Sequence, residues 1–332
     1  MKRHGKTILS LILILISVII FLYNFNISEI MATIHLIPGP VILLAFFLHL
    51  LTLVLGALKW YLMLAGIGQG NKPGLIFKIH ISTIFFDNLT PGARIGGEGV
   101  RLYLTRNLLG IDYASITGLI GLDKVLTLIP FILLCLLALV WQGQFFQQGS
   151  LFRGIFIVLS LLVLLVIIAI VALLKLGKKK GTDDARLSRF KSFLANAGHS
   201  FRLIFTRKRG LLPLLFLSSI IWFIYLLKIY ILAEAIGINI AFKTLSSASI
   251  LAYLVGILPL TPGGLGLFDG TLGGFLLLFN ADKAAVGSLV LLYRLTTYFF
   301  TLLLGGLASI ILFNKVLERK NIIDEGGFIG DK

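Results

Sequence analysis

The residues of this 332-residue chain that can do chemistry gather at two glycine-rich breaks, Pro91–Gly99 and Pro262–Gly270. Arg94 and Arg101 lie at the first, and Arg294 follows the second. A planar guanidinium binds phosphate through two parallel hydrogen bonds, which makes these arginines the natural ligands for an anionic group. Backbone N–H groups freed at Gly92, Gly96 and Gly97, and at Gly263, Gly264 and Gly266, would add to such a site. Pro91 and Pro262 enforce the breaks. Glu98 and Asp269 each open the following half-helix. There they either stabilise a helix N-terminus, or orient the arginines and meet a cationic headgroup. Arg101 stands three residues after Glu98, the spacing of a helical ion pair. Asp123 and Arg294 each lie 25 residues beyond their hairpin acid, so a pair between them across the two halves is expected, as a structural bridge or a functional one. Asp87 is read as a cap for the turn before Pro91. Lys59, Lys228 and Glu234 are read as residues near span ends whose heads reach the interface.

Catalytic patterns are thin. Five histidines are scattered, the single Cys135 sits in an apolar run, and neither a metal-ligand spacing nor a nucleophile elbow nor a phosphate loop is found. No enzyme activity, metal or cofactor is expected.

The elements that position these residues follow from composition. Hydrophobic residues make up 58% and charged residues 13%, with a mean hydropathy of +1.02. A water-soluble fold cannot cover that much apolar surface, so the class is an all-α polytopic membrane protein. Six apolar runs are long enough to cross: Thr7–Phe25, Val41–Leu64, Tyr113–Trp141, Leu151–Leu174, Leu211–Ala235 and Ala284–Phe313. Two more stretches, 74–109 and 241–280, are interrupted at the breaks. Each half is too short to cross alone, so both read as re-entrant helical hairpins, with eight full spans as the alternative count.

Charge sets the orientation. Of a net +16, the segment Lys175–Arg209 contributes eleven basic and two acidic residues. Such a loop between apolar runs marks the cytoplasmic face and meets anionic inner-leaflet headgroups; nucleic acid is not the expected partner. Leu187, Phe190, Leu194, Ala197, Phe201 and Ile204 recur at helical spacing within it, as in an interfacial amphipathic helix. With the N- and C-termini inside, the loops 24–40 and 142–150 fall outside and carry no Lys or Arg.

The two broken regions align at an offset of 171 residues. Leu-Thr-Pro-Gly occurs in both, Glu98 matches Asp269, and Gly99 matches Gly270. Three crossings separate the hairpins, so the units 41–141 and 211–313 would be inverted within a single membrane domain, 1–332, the plan of secondary transporters.

At these residues the chain resembles the flippase-like membrane domain of the lysylphosphatidylglycerol synthetase family, stand-alone members included. Gly97-Glu98-Gly99-Val100-Arg101 is similar to that family's G-E-x-x-R signature. Pro262 to Asp269 is similar to its P-G-G-x-G-x-x-E signature, with Asp for the usual Glu. The resemblance implies a multi-pass protein of the cell (inner) membrane that moves a lipid with a polar or phosphate headgroup between leaflets by alternating access. It implies no lysyl transfer by these residues, since the synthetases use a further soluble domain for that step. A small-solute transporter and an accessory subunit of lipid or glycan synthesis are the rival readings. Gly270 and Gly274 are compatible with a homodimer without requiring one.

Overall fold

A computed structural model describes residues 27–90, 95–141, 208–258 and 260–326, with isolated positions between 161 and 199. Every regular element among the described residues is helical. The expected spans Thr7–Phe25 and Leu151–Leu174, and nearly all of the basic linker 175–209, lie outside the described residues.

The chain opens with α1 (Ile27–His35) and α2 (Gly39–Gly66), followed by the pair α3 (Pro73–Leu89) and α4 (Ile95–Leu109), then α5 (Tyr113–Trp141). After the linker come α6 (Lys208–Ile236), the pair α7 (Phe242–Gly256) and α8 (Leu267–Leu278), and α9 (Lys283–Arg294). A π-helical turn, Leu295–Phe299, leads from α9 into α10 (Phe300–Gly326). A segment read as an outside loop, 24–40, thus contains α1, whose Ile34 packs against the core that Ile37 shares with Val286 and Leu289 of α9.

Among the described residues four helices are long and apolar enough to cross a membrane: α2, α5, residues Gly210–Ile236 of α6, and the continuous run Lys283–Glu318. The last extends the apolar run Ala284–Phe313 by one residue at its start and five at its end, and the π turn carries the helix on past Arg294. The wider turn is compatible with local threonines. Thr296 donates to Leu292 O at 3.0 Å and Thr297 to Tyr293 O at 2.5 Å. The outward faces are apolar: Leu43 and Phe47 on α2, Phe216 and Phe223 on α6, and Leu303, Leu307 and Ile310 on α10 are exposed. Water would penalise such faces and lipid tails do not.

The broken pairs are shorter. At 1.5 Å per residue α3 and α4 reach about 25 and 22 Å, and α7 and α8 about 22 and 18 Å, against a hydrocarbon core of about 30 Å. The members of each pair pack on one another, so each is a helical hairpin with its break at the tip. The two halves of the sequence interlock: α2 packs on α6, α10 on α3, and α5 on α7. Phe131 and Cys135 of α5 share a core with Trp222, Leu226 and Ile250. Ser82 and Ser309 share a 2.7 Å hydrogen bond where α10 crosses α3.

Local chemistry explains the first break. Thr90 folds back so that its amide and hydroxyl both donate to Phe86 O, at 3.0 and 2.7 Å, which closes α3. Asp87 also reaches beyond this turn. Its Oδ1 accepts the Gly97 N–H at 3.1 Å and so fastens the start of α4 to the end of α3. A Cβ on Gly97 would strike Thr83 O and the Asp87 carboxylate. In the second break Gly263 adopts φ +57°, and a Cβ there would strike the Tyr298 ring.

Gly97→Ala and Gly263→Ala should therefore each destabilise the protein by about 1–3 kcal/mol, the usual cost of overpacking. Gly99→Ala, with nothing within 4 Å of the added carbon, should leave the melting temperature in detergent unchanged or raised. Equal melting temperatures for all three variants would contradict this packing.

Candidate functional site: charge clusters at two helix breaks

At the first break Asp123 of α5 lies between two cations. Lys59 Nζ of α2 is 2.7 Å from its Oδ1, and Arg101 Nη1 of α4 is 2.9 Å from its Oδ2. Lys59 also donates to Thr127 Oγ1 at 2.8 Å and Ser218 Oγ at 3.2 Å, joining α2, α5 and α6. The Arg101 guanidinium is 3% exposed and lies over the Trp60 ring at 4.6 Å. Its Nη2 faces His80 Nδ1 at 3.4 Å; a guanidinium has donors only, so this imidazole nitrogen is the acceptor. Glu98 completes the group, with Oε1 2.6 Å from Lys124 Nζ and Oε2 3.5 Å from Arg101 Nε. The Lys124 side chain, 39% exposed, is the open member. Asp87 adds a further negative charge felt by Arg101. Around this guanidinium several buried polar atoms make no hydrogen bond: Trp60 Nε1, Glu98 Oε2, Arg101 Nε and Thr105 Oγ1.

The second break is closed by one arginine. Arg294 donates from Nε to Asp269 Oδ1 at 2.5 Å and from Nη2 to Oδ2 at 2.9 Å. Its Nη1 and Nη2 also donate to the carbonyls of Gly263 and Gly264, at 3.1 and 3.0 Å. Asp269 Oδ2 in turn accepts the Gly266 N–H at 2.8 Å, which caps α8. The helix-capping and arginine-orienting readings of this acid are thus realised together. Phe268 lies beneath the guanidinium, 5.0 Å from ring centre to Cζ.

The two breaks adjoin. Tyr298, in the π turn after Arg294, donates to Asn88 O at the end of α3 at 3.4 Å. The Gly263 backbone sits in the same place, its missing Cβ 3.4 Å from Asn88 O.

Of the residues singled out by sequence, Glu98, Arg101 and Asp123 are brought together, as are Asp269 and Arg294. Pro91, Gly92 and Arg94 lie outside the described residues. Pro262, Gly263, Gly264 and Gly266 form the second turn, and Gly96 packs against Thr90. The expected Asp123–Arg294 pair does not form: each residue turns to its own hairpin, where a nearer opposite charge is available. Lys59 and Lys228 are likewise not span-end residues. They are 6% and 0% exposed, because both lie well inside their helices on the faces where α2, α5 and α6, and α6 and α9, meet. They stand at near-equivalent places of the two units, within two residues of the 171-residue offset, and that spacing was the signal available for them. Lys124 carried no signal beyond its place beside Asp123.

These features define a polytopic α-helical membrane protein with buried charge clusters at paired helix breaks. The chain belongs to the family described as the lysylphosphatidylglycerol synthase transmembrane region, whose model matches residues 7–305. Among relatives, a UPF0104 membrane protein of Methanothermobacter thermautotrophicus is 26% identical over 339 residues, covering 93% of this chain and 94% of its own. Another from the same organism is 24% identical over 295 residues, covering 84% and 87%. A phosphatidylglycerol lysyltransferase of Staphylococcus xylosus is 31% identical over 102 residues, which is 31% of this chain and 12% of that protein.

Removing the acid from a buried cluster leaves cations uncompensated, at a cost of about 3–5 kcal/mol. Asp123→Asn and Asp269→Asn should each lower stability by that order in denaturation followed by intrinsic fluorescence. Lys228→Met removes a buried side chain that faces no carboxylate among the described residues and should be neutral or stabilising; a loss as large as that of Asp123→Asn would refute this electrostatic account.

Proposed function

We propose that this protein is a lipid translocase, which moves a lipid with a polar or phosphate-bearing headgroup between the leaflets of the cell membrane. The observation that carries the reading is the meeting of two helix breaks, each beside a buried arginine–acid cluster, inside a protein whose outer faces are apolar. Charges at such depth are costly and mark substrate pathways. Helices broken near the midplane, in units of inverted orientation, are the plan by which secondary transporters expose one site to either side in turn.

The two clusters divide the work. The Asp269–Arg294 group is closed on itself and holds the break in shape. The Arg101 group has buried polar atoms that make no hydrogen bond and an open rim at Lys124, where a phosphate could exchange with Glu98 as the partner of the cations. The headgroup passes between the hairpins while the acyl or prenyl chains stay in lipid. Translocation needs no covalent chemistry, and the protein is read as a transporter and not as an enzyme. Both termini are cytoplasmic in this reading, and the basic linker 175–209 rests on the anionic inner leaflet.

The test is transbilayer movement of acyl-labelled lipids in sealed liposomes holding the purified protein, with anionic, zwitterionic and cationic headgroups and with imposed ion gradients. Wild type should move at least one headgroup class at least tenfold faster than empty liposomes. Arg101→Gln, Glu98→Gln and Arg294→Ala should lose at least tenfold of that rate while eluting as folded monodisperse protein. Folded wild type that moves no headgroup under any gradient would point instead to a transporter of small polar solutes.

A further inference from the structure

Lys228 of α6 is fully buried, and among the described residues no carboxylate lies within ion-pair reach of it. Its surroundings are particular. His49 of α2 places Nδ1 3.4 Å from Lys228 Nζ, and its Nε2 lies 2.8 Å from Thr301 Oγ1 of α10. The ammonium faces the ring of Tyr293, on α9, at 4.6 Å and that of Tyr225, on its own helix, at 5.5 Å. The Tyr293 hydroxyl is hydrogen-bonded to that of Tyr253 on α7. The next charge along α9, Arg294, is balanced by Asp269. From every packed element, therefore, the lysine meets neutral or compensated groups.

The contrast with Lys59 is informative. That lysine, at the near-equivalent place of the first unit, has Asp123 at 2.7 Å. At the position 171 residues after Asp123 the second unit carries Arg294, turned away to Asp269, and Lys228 is left with the flat face of Tyr293. A permanently charged lysine gains too little there to offset its desolvation. A lysine, unlike an arginine, escapes that cost by giving up its proton. No anion need be invoked at a side chain with 0% exposure, whereas a proton requires no space.

We propose that Lys228 and His49 form a proton-binding site, and that the proton held between them is the coupling ion of the translocase. The coupling half of this inference rests on the transport reading above; the proton site stands on its own geometry. In the release step Lys228 Nζ–H passes its proton to His49 Nδ1 as Nε2 gives its own to Thr301 Oγ1, whose hydroxyl proton leaves. Lys228 ends as a neutral amine, His49 as the other neutral tautomer, and one proton departs. The exposures of Lys228, His49 and Thr301 are 0%, 4% and 1%. The proton therefore reaches water only when α2, α6 and α10 move apart, so exchange and conformational change are a single event.

Two measurements test this. The first is nitrogen NMR of the purified full chain with lysine labelled at Nζ, the Lys228 signal being the one lost in Lys228→Met. Across the pH range in which the protein stays folded that signal should convert between ammonium and amine positions, and His49→Gln should shift its midpoint. A signal fixed at either position across the range would overturn the site. The second is transport in liposomes with and without a gradient of about one pH unit, a tenfold ratio of proton activity. Wild-type rates should change several-fold with the gradient, whereas Lys228→Met should run at one rate in both. Equal responses of wild type and Lys228→Met would overturn the coupling and leave the translocase reading intact. A titrating Nζ in a protein that moves no lipid would do the reverse.

Discussion

A helix broken inside an apolar protein leaves N–H and C=O groups with neither water nor a next turn to bond, and each would cost several kcal/mol unsatisfied. The architecture is organised around meeting that requirement twice. Arg294 does so for the second break with a single side chain, reaching Asp269 and the carbonyls of Gly263 and Gly264 together. At the first break the duty is distributed: Thr90 closes α3, and Asp87 holds the first turn of α4 through Gly97. Asp87, Asp269 and Arg294 thus bring charge to backbone groups that the breaks would otherwise orphan.

The two units solve one geometric problem with unlike chemistry. Lysines stand at near-equivalent places of α2 and α6, yet Lys59 is clamped by Asp123, Thr127 and Ser218 while Lys228 rests among tyrosine rings and a histidine. The first unit collects several cations and acids with an open edge at Lys124; the second holds a compact Arg294–Asp269 pair. In the proposed translocase, one cluster would exchange its partner for a headgroup and the other would keep the hairpin rigid.

Packing constrains how the parts can move. α10 crosses α3 so closely that a Cβ on Gly305 would lie 2.9 Å from Ile81 O. α2 and α6 share Lys59 and the Lys228–His49 contact. Helices from opposite halves of the sequence are thus paired, and in the proposed translocase a change of access would carry α2 with α6 or separate them at those polar contacts. Separation there would admit water to buried polar side chains, which ties hydration to motion.

The sequence by itself determined the solvent, the class and the breaks. Long apolar runs admit one environment, and Pro with clustered Gly at 91–99 and 262–270 admits no continuous helix. The family signatures around Glu98 and Asp269 were legible for the same reason, since they are local. The partner of each charge was not. Asp123 and Arg294 occupy equivalent positions and carry opposite signs, so sequence favoured joining them, whereas each bonds within its own unit. Asp87 reaches across the hairpin to Gly97, and Lys59 and Lys228 are drawn inward from positions that read as interfacial. Hydropathy and spacing are properties of a segment, but the partner of a buried charge depends on which faces of distant helices meet. Only the tertiary packing decides that.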